Sequence, residues 1–460
     1  MKNSISLFLF TLVSRIPLLN IGYGPEEDAW GHVLNIYEMK GAGHYIMSRL
    51  PGHPIYEGLL YILFPIHSAL FYNLLSAIAS GFAVLAFYKI ALNFTIIKNA
   101  FQAALAFAVI PIFYLSSTYT IDYTLGLALT LWAYYLILKH KIVWSALLLA
   151  LAVGTRITWI LMLMPLLATL NGYRFEKFEF KKSFQFLFVF GFLSATAYYP
   201  VYDAYGIGFF NTYKLPYPPL AKAIYKGTIG VWGLIGFGFL SVVLFAFMKR
   251  AKFYFGQIRW CHIVWGIPIV LYSIIFIRLP EKSAFFIPVI PFLLLFIFSL
   301  LDERWIKWSA FIAFCSLLFF GINISDSLRG ATPRPHDFKK TISGQEIFFS
   351  FERGLFFLEK DKREKKQSVT ARISAELNEL EKPSAVICGW WYAMLDVTVK
   401  DNKWPWPEHV KLHYYLSDEE ILKYQENGYE LLYLPEQEII NNQKNNSTLT
   451  SEVGQPFSIE

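Results

Sequence analysis

The sequence predicts a mainly α protein: a polytopic transmembrane helical bundle of about eleven spans with a small C-terminal extracytoplasmic α/β domain. Three observations predict it. The chain is 55% hydrophobic and 16% charged, where an ordinary soluble protein carries about 25% charged residues. Long apolar runs recur through the first 322 residues, and a span needs about 20 residues to cross about 30 Å of hydrocarbon. Beyond residue 323 those runs stop, and charged helical segments alternate with short strand-like ones.

Residues 4–20 follow Lys2 and lead to no small-residue cleavage site, so they read as a retained first span. Further apolar runs lie at 68–92, 101–118, 121–138, 141–157, 158–170, 183–202, 228–248, 261–277, 284–301 and 305–322. Residues 141–170 fit either two short helices or one long tilted one. Two helices place Lys98, Lys139, Lys141, Arg174, Lys177, Lys181, Lys182, Lys249, Arg250, Lys252, Arg259, Arg304 and Lys307 on one side. Basic loops favour the cytoplasm, so the amino terminus reads as inside and the tail as outside. The protein is therefore expected to be integral and multi-pass. Its net charge of +7 sits mainly in short loops, which argues against a nucleic-acid partner. Three cysteines without metal-like spacing suggest neither a zinc site nor a disulfide framework.

The expected division is a transmembrane domain over 1–322 with a first extracytoplasmic loop at 21–57, an α/β domain over 323–445, and a disordered tail over 446–460. Within the tail, the run DKREKK at 361–366 reads as solvated helix or linker, and 371–382 as an amphipathic helix. Residues 384–390 and 430–435 read as strands, and Ser417 caps a helix from Asp418 to Asn427.

The first polar interruption, 22–57, holds Glu26, Glu27 and Asp28, then His32, His44, Arg49 and His53. Adjacent carboxylates split their pKa values and leave one as a base or cation ligand; the plain alternative is a solvated acidic turn. Asp28 falls where a helix should begin. Pro51, Gly52 and Pro54 stiffen the segment that carries Arg49 and His53, which otherwise reads as a membrane-interface turn. Arg15, Asp122 and Arg156 lie in or beside apolar runs, near the same end of their spans as that loop. Charge at membrane depth is costly and lines polar sites, although Asp122 and Arg156 also suit a structural pair. Arg278, Glu281 and Lys282 stand in a short loop before a Pro-interrupted span, where cations suit a phosphate. There is no GxxxxGK[ST], GxGxxG after a strand, HExxH or GxSxG, so nucleotide-driven transport and several soluble enzyme classes find no support.

Three features together resemble the GT-C glycosyltransferases: the carboxylate-bearing loop after the first span, the stretch LAVGTRITWILMLMPLL, and the late RLPEKSAFFIPVIPF. The nearest groups are the protein O-mannosyltransferases and aminoarabinose transferases, and the lipid-linked mannosyltransferases. The resemblance implies an inverting transfer of a sugar from a polyprenyl-phosphate donor to an acceptor hydroxyl of a lipid, glycan or protein, at the extracytoplasmic face. It assigns the catalytic acid to Asp28 with Glu27 beside it, and the donor phosphate to Arg278 and Lys282. Arg156 and Arg49 are expected to assist with the phosphate, and His53, Glu281 and Asp122 to contact substrate. No cofactor is fixed; a divalent cation is left open. Loop 203–227 is a candidate lid or a plain connector. A flippase, or a non-catalytic protein that binds lipid-linked sugar, is the competing class.

Overall fold

Among the described residues, four helical segments are long and apolar enough to cross a bilayer, Ala69–Asn93, Phe180–Phe209, Ile229–Lys249 and Trp260–Arg278, and shorter apolar helices stand between them. The computed structural model describes residues 2–173, 178–210, 217–249, 256–325, 330–342, 345–403, 406–447 and 455–456. Each of the eleven apolar runs is a helix or a pair of helical segments. They are α1 (Lys2–Leu19), α4 (Ala69–Asn93), α5 (Ala100–Ala108) with α6 (Pro111–Ser116), α7 (Tyr123–Leu138), α8 (Ile142–Thr155) and a 3-10 turn (Ile157–Met162) with α9 (Leu163–Leu170). There follow α10 (Phe180–Tyr205), α12 (Ile229–Lys249), α13 (Trp260–Arg278), α14 (Val289–Leu300) and α15 (Glu303–Leu318). Helices α2 (Glu27–Ala42), α3 (Pro54–Ile62) and α11 (Leu220–Gly227) lie between these runs. The fold is that of a multi-pass integral membrane protein.

Residues 141–170 form two antiparallel segments. Ser145 near the start of α8 donates to the carbonyl of Ala133 near the end of α7, at 2.7 Å. At the other end, a Cβ on Gly126 would lie 2.6 Å from Thr155 and 2.1 Å from Trp159, so only glycine permits that approach. The chain turns at Arg156, which has extended backbone (φ −161°, ψ 121°). It then runs back until Thr169 meets the Tyr134 hydroxyl at 3.4 Å.

Pro111 breaks the third run, because it has no N–H and frees carbonyls of the preceding turn. Arg15 answers that break. It is buried in α1, where its guanidinium donates to the carbonyl of Ala108 and to Ser117 Oγ at 3.0 Å and lies 4.3 Å from the Tyr114 ring centroid. Arg15 is thus a structural brace and makes none of the contacts of the polar site described below.

The chain then forms a three-stranded antiparallel sheet of β1 (Gly321–Ser325), β2 (Phe338–Ile342) and β3 (Gln345–Ser350), in the order β1-β3-β2. After α16 (Leu355–Asn378) come β4 (Ser384–Ile387), α17 (Trp391–Asn402), β5 (Val410–His413), α18 (Asp418–Glu426), β6 (Glu430–Tyr433), α19 (Gln437–Asn446) and β7 (Gln455–Pro456). The four strands are parallel in the order β5-β4-β6-β7. Ser417 caps α18 through a reciprocal bond with Glu420. Helix α19 runs to Asn446, the first residue of the expected disordered tail; 448–454 and 457–460 lie outside the described residues. So do 211–216 of the candidate lid, including Tyr213 and Lys214.

The run 361–366 is helical but not simply solvated. Arg363 is 1% exposed and donates to the carbonyls of Leu18 (3.2 Å) and Thr118 (3.0 Å) and to Thr118 Oγ1 (2.8 Å). One arginine thereby satisfies chain-turn carbonyls after α1 and after α6, and docks α16 on the bundle. Asp401 of α17 makes a second attachment, accepting from the hydroxyls of Tyr23 (2.8 Å) and Tyr37 (2.6 Å).

Replacing Arg363 with Met leaves those carbonyls buried without donors, at a cost of about 2–4 kcal/mol. The thermal midpoint in detergent is expected to fall by several degrees, while Lys360→Met, on the half-exposed side of α16, stays near wild type.

Candidate active site

The site is assembled where five chain turns meet at one end of the bundle. After α1 the chain passes Gly24, whose hydrogen faces Ala29; a Cβ there would sit 2.8 Å from the Ala29 methyl. This close turn starts α2 with Glu27 and Asp28 in its first turn, where the helix dipole favours negative charge. The second contribution is the loop between α2 and α3. It contains a cis Leu50–Pro51 bond, and Gly52 (φ 87°) closes a turn onto the Arg49 carbonyl at 2.7 Å. Glu57, fully buried on α3, gathers that loop. Its Oε1 accepts from Ser48 Oγ (2.6 Å) and Ser48 N (2.9 Å), and its Oε2 from the Tyr45 hydroxyl and His53 N (3.2 Å).

The charged side chains form one continuous chain. Asp28 Oδ2 receives both Arg49 and Lys282, and Lys282 also reaches Glu26 at 2.8 Å. Arg49 continues to Asp122 Oδ1 at 3.3 Å, and Arg156 binds Asp122 at 2.7 and 3.3 Å. Arg156 also lies over the Tyr123 ring, 4.3 Å from its centroid. Asp122 is fully buried, whereas Asp28 is 24% and Lys282 26% exposed. The chain of charges therefore opens at Asp28 and Lys282 and is sealed at Asp122. Asp28 Oδ1 has no hydrogen-bond partner among the described residues.

Burial is the largest influence on Asp28 and opposes its ionisation, but Arg49 and Lys282 outweigh it and hold the carboxyl far below the usual range. Burial likewise acts against the Lys282 ammonium, and Asp28 with Glu26 reverses that and raises it. Glu27 behaves oppositely: burial pushes its carboxyl up, against a hydrogen bond from Tyr414 of the α/β unit. Lys226 of α11, absent from the sequence candidates, flanks this side; burial brings it down to about 8.

His32 Nε2, His53 Nδ1 and an oxygen of Asp122 lie within 4.8 Å of one another. They do not suit a metal ion. His53 Nδ1 is 2.7 Å from the Thr155 carbonyl and must donate to it, and its Nε2 accepts from Arg49 at 3.1 Å. Burial keeps His53 well below its ordinary value, so it is the neutral form that makes both bonds. Both Asp122 oxygens are taken by guanidinium groups. Only His32 Nε2 is left with no hydrogen-bond partner.

Of the sequence candidates, Asp28, Arg49, His53, Asp122, Arg156 and Lys282 converge, and Glu27 adjoins them. Arg278 does not: it is exposed at the last turn of α13 and makes no ion pair among the described residues. Glu281 turns away too, 4.0 Å from Lys222. Sequence reasoning named Glu26 and His32 within the stretch 22–57 without giving either a role of its own, and did not single out Glu57. The spacing Asp28–His32 and His53–Glu57, four residues on helical segments, was the available signal.

No protein-family model matches the sequence, and no curated protein matches it. Solved structures do. The crystal structure of ArnT from Cupriavidus metallidurans in the apo state superposes with a TM-score of 0.54 at 11% identity, over 98% of this chain and 89% of that one. ArnT from the same organism bound to undecaprenyl phosphate gives 0.52 at 10% identity, with the same coverage. The chain thus shares the overall fold of these ArnT structures.

Asp122→Ala leaves the Arg156 guanidinium without its carboxylate and takes one of two carboxylates from Arg49, a cost of about 3–5 kcal/mol. Thermal unfolding in detergent should show a clear loss of stability, whereas Glu281→Gln should not.

Proposed function

We propose that this protein is an inverting membrane glycosyltransferase. It takes a sugar from a polyprenyl-phosphate donor and passes it to an acceptor hydroxyl at the extracytoplasmic face. The observation that carries this reading is Asp28, held by Lys282 and Arg49 at the open edge of the charge chain. A phosphate entering there competes for the two cations, since guanidinium and ammonium groups bind phosphate oxygens as they bind carboxylates. As they turn to the phosphate, Asp28 loses the partners that hold its pKa down. It then receives the acceptor hydroxyl on the side away from the phosphate, and attack from that side inverts the anomeric carbon. Lys282 and Arg49 stabilise the charge that builds on the departing phosphate. Arg156 stays with Asp122 and fixes the far end.

The basic residues support an extracytoplasmic site. Lys98, Lys139 and Lys307 lie at the opposite end of the bundle, near Asp302, Asn93 and Glu303, and basic residues favour the cytoplasmic side. A small apolar groove among α5, α12, α14 and α15, lined by Trp232, Phe239, Leu294 and Phe298, suits contact with part of a prenyl chain. Residues 323–445 act as a separate α/β domain on the acceptor side, adjoining Glu27 through Tyr414. A transporter would place charge near the bilayer midplane; the buried charge here gathers at one end.

The test is turnover of radiolabelled polyprenyl-phosphate sugars by purified protein. Asp28→Asn is expected to lose about 10²–10⁴-fold in rate, and Lys282→Met to weaken undecaprenyl phosphate binding about tenfold or more. Full activity should survive EDTA, because Asp122 is neutralised by arginines. Donor binding without turnover in the wild type, across the acceptors tried, would sink the enzyme reading.

A further inference from the structure

His32 is the one fully buried imidazole in the cluster with an idle ring nitrogen, and hydrogen bonding determines which nitrogen that is. Ser48 Oγ donates its only proton to Glu57 Oε1 at 2.6 Å. Its contact with His32 Nδ1 at 3.2 Å must therefore run the other way, with Nδ1–H as donor and the serine oxygen as acceptor. A neutral His32 consequently carries its proton on Nδ1 and a bare lone pair on Nε2. That Nε2 has no hydrogen-bond partner and stands 3.7 Å from Asp122 Oδ1. A proton arriving on Nε2 would find a carboxylate beside it, and Ser48 and Glu57 behind the ring to orient it. This is the arrangement of a base held by a third group.

His32 also follows Asp28 by one helical turn on α2, so both side chains share a face. The remaining groups around it are Arg49 and His53 of the loop (His32–His53 ring centroids 5.2 Å apart) and Tyr56 of α3 (centroids 5.0 Å apart). Asp28 is a poor final resting place for a proton, because Arg49 and Lys282 return to its carboxylate once the phosphate leaves.

We propose that His32 Nε2 is the terminal proton acceptor of the transfer, taking through the Asp28 carboxylate the proton of the attacking hydroxyl. This rests on the glycosyltransferase reading above. The acceptor oxygen bonds to the anomeric carbon, and the bond from that carbon to the phosphate oxygen breaks with its electron pair leaving on the lipid phosphate. The hydroxyl proton passes to Asp28 Oδ1 and on to His32 Nε2. The imidazolium then returns it to the released lipid phosphate or to water. Ser48 and Glu57 are positioning residues that fix the tautomer.

The experiment pairs turnover with a direct view of the ring. With a donor that the wild type turns over, His32→Gln should lower the rate about 100-fold. Undecaprenyl phosphate binding should be unchanged, which also reports that the variant is folded. Ser48→Ala should cause a smaller fall in rate, again without loss of binding. In protein with ¹⁵N-labelled histidine, the resonance that disappears in His32→Gln should show a protonated Nδ1 and a bare Nε2 near neutral pH. An undiminished rate in His32→Gln, or a proton found on Nε2, overturns the role of His32 and leaves the transferase reading standing. Absence of turnover by the wild type overturns the transferase reading and this role with it.

Discussion

The run of ion pairs Lys282–Asp28–Arg49–Asp122–Arg156 holds the functional end of the molecule together. Each residue comes from a different turn: the loop before α14, the start of α2, the loop before α3, the start of α7 and the break after α8. Burying these charges is unfavourable unless every one is paired, so the pairing dictates how five segments distant in sequence must meet. The gradient of exposure along the run divides its labour. Asp122 is sealed and structural in its effect, while Asp28 and Lys282 remain open to a ligand. Under the proposed mechanism, catalysis consists of exchanging the carboxylate at the open end for a phosphate.

Other arginines show the same physics without a carboxylate network. Arg15 and Arg363 are both buried: Arg15 donates to the Ala108 carbonyl and the Ser14 and Ser117 hydroxyls, and Arg363 to the Leu18 and Thr118 carbonyls, Thr118 Oγ1 and the neighbouring Glu359. Arg15 serves the interruption at Pro111, and Arg363 seals the ends of α1 and α6 under α16.

Much of the bundle was legible in the sequence because hydrocarbon thickness imposes run lengths that need no partner to interpret. The turn at Arg156 was legible through charge alone, since only two segments over 141–170 keep the basic loops on one side. The antiparallel sheet β1–β3 was not, because GINIS and FKKTI acquire strand identity only by pairing with QEIFFS. Charge that interrupts hydrocarbon singled out Asp28, Asp122 and Arg156, which the structure brings together. Arg278 and Glu281 share a short loop with Lys282 but leave it in other directions. His32 was visible only as part of the polar stretch, because its setting depends on Ser48 and Glu57, contacts no local pattern announces.

The central claim is that Asp28 and the donor phosphate compete for the same two cations. The most direct measurement is the affinity for undecaprenyl phosphate of the wild type and of Asp28→Asn, compared in one detergent at one ionic strength. Competition predicts tighter binding by Asp28→Asn, because Lys282 and Arg49 no longer have to leave a carboxylate. Weaker binding by that variant would contradict the account, for it would mean that Asp28 supports the phosphate site instead of yielding its partners to it.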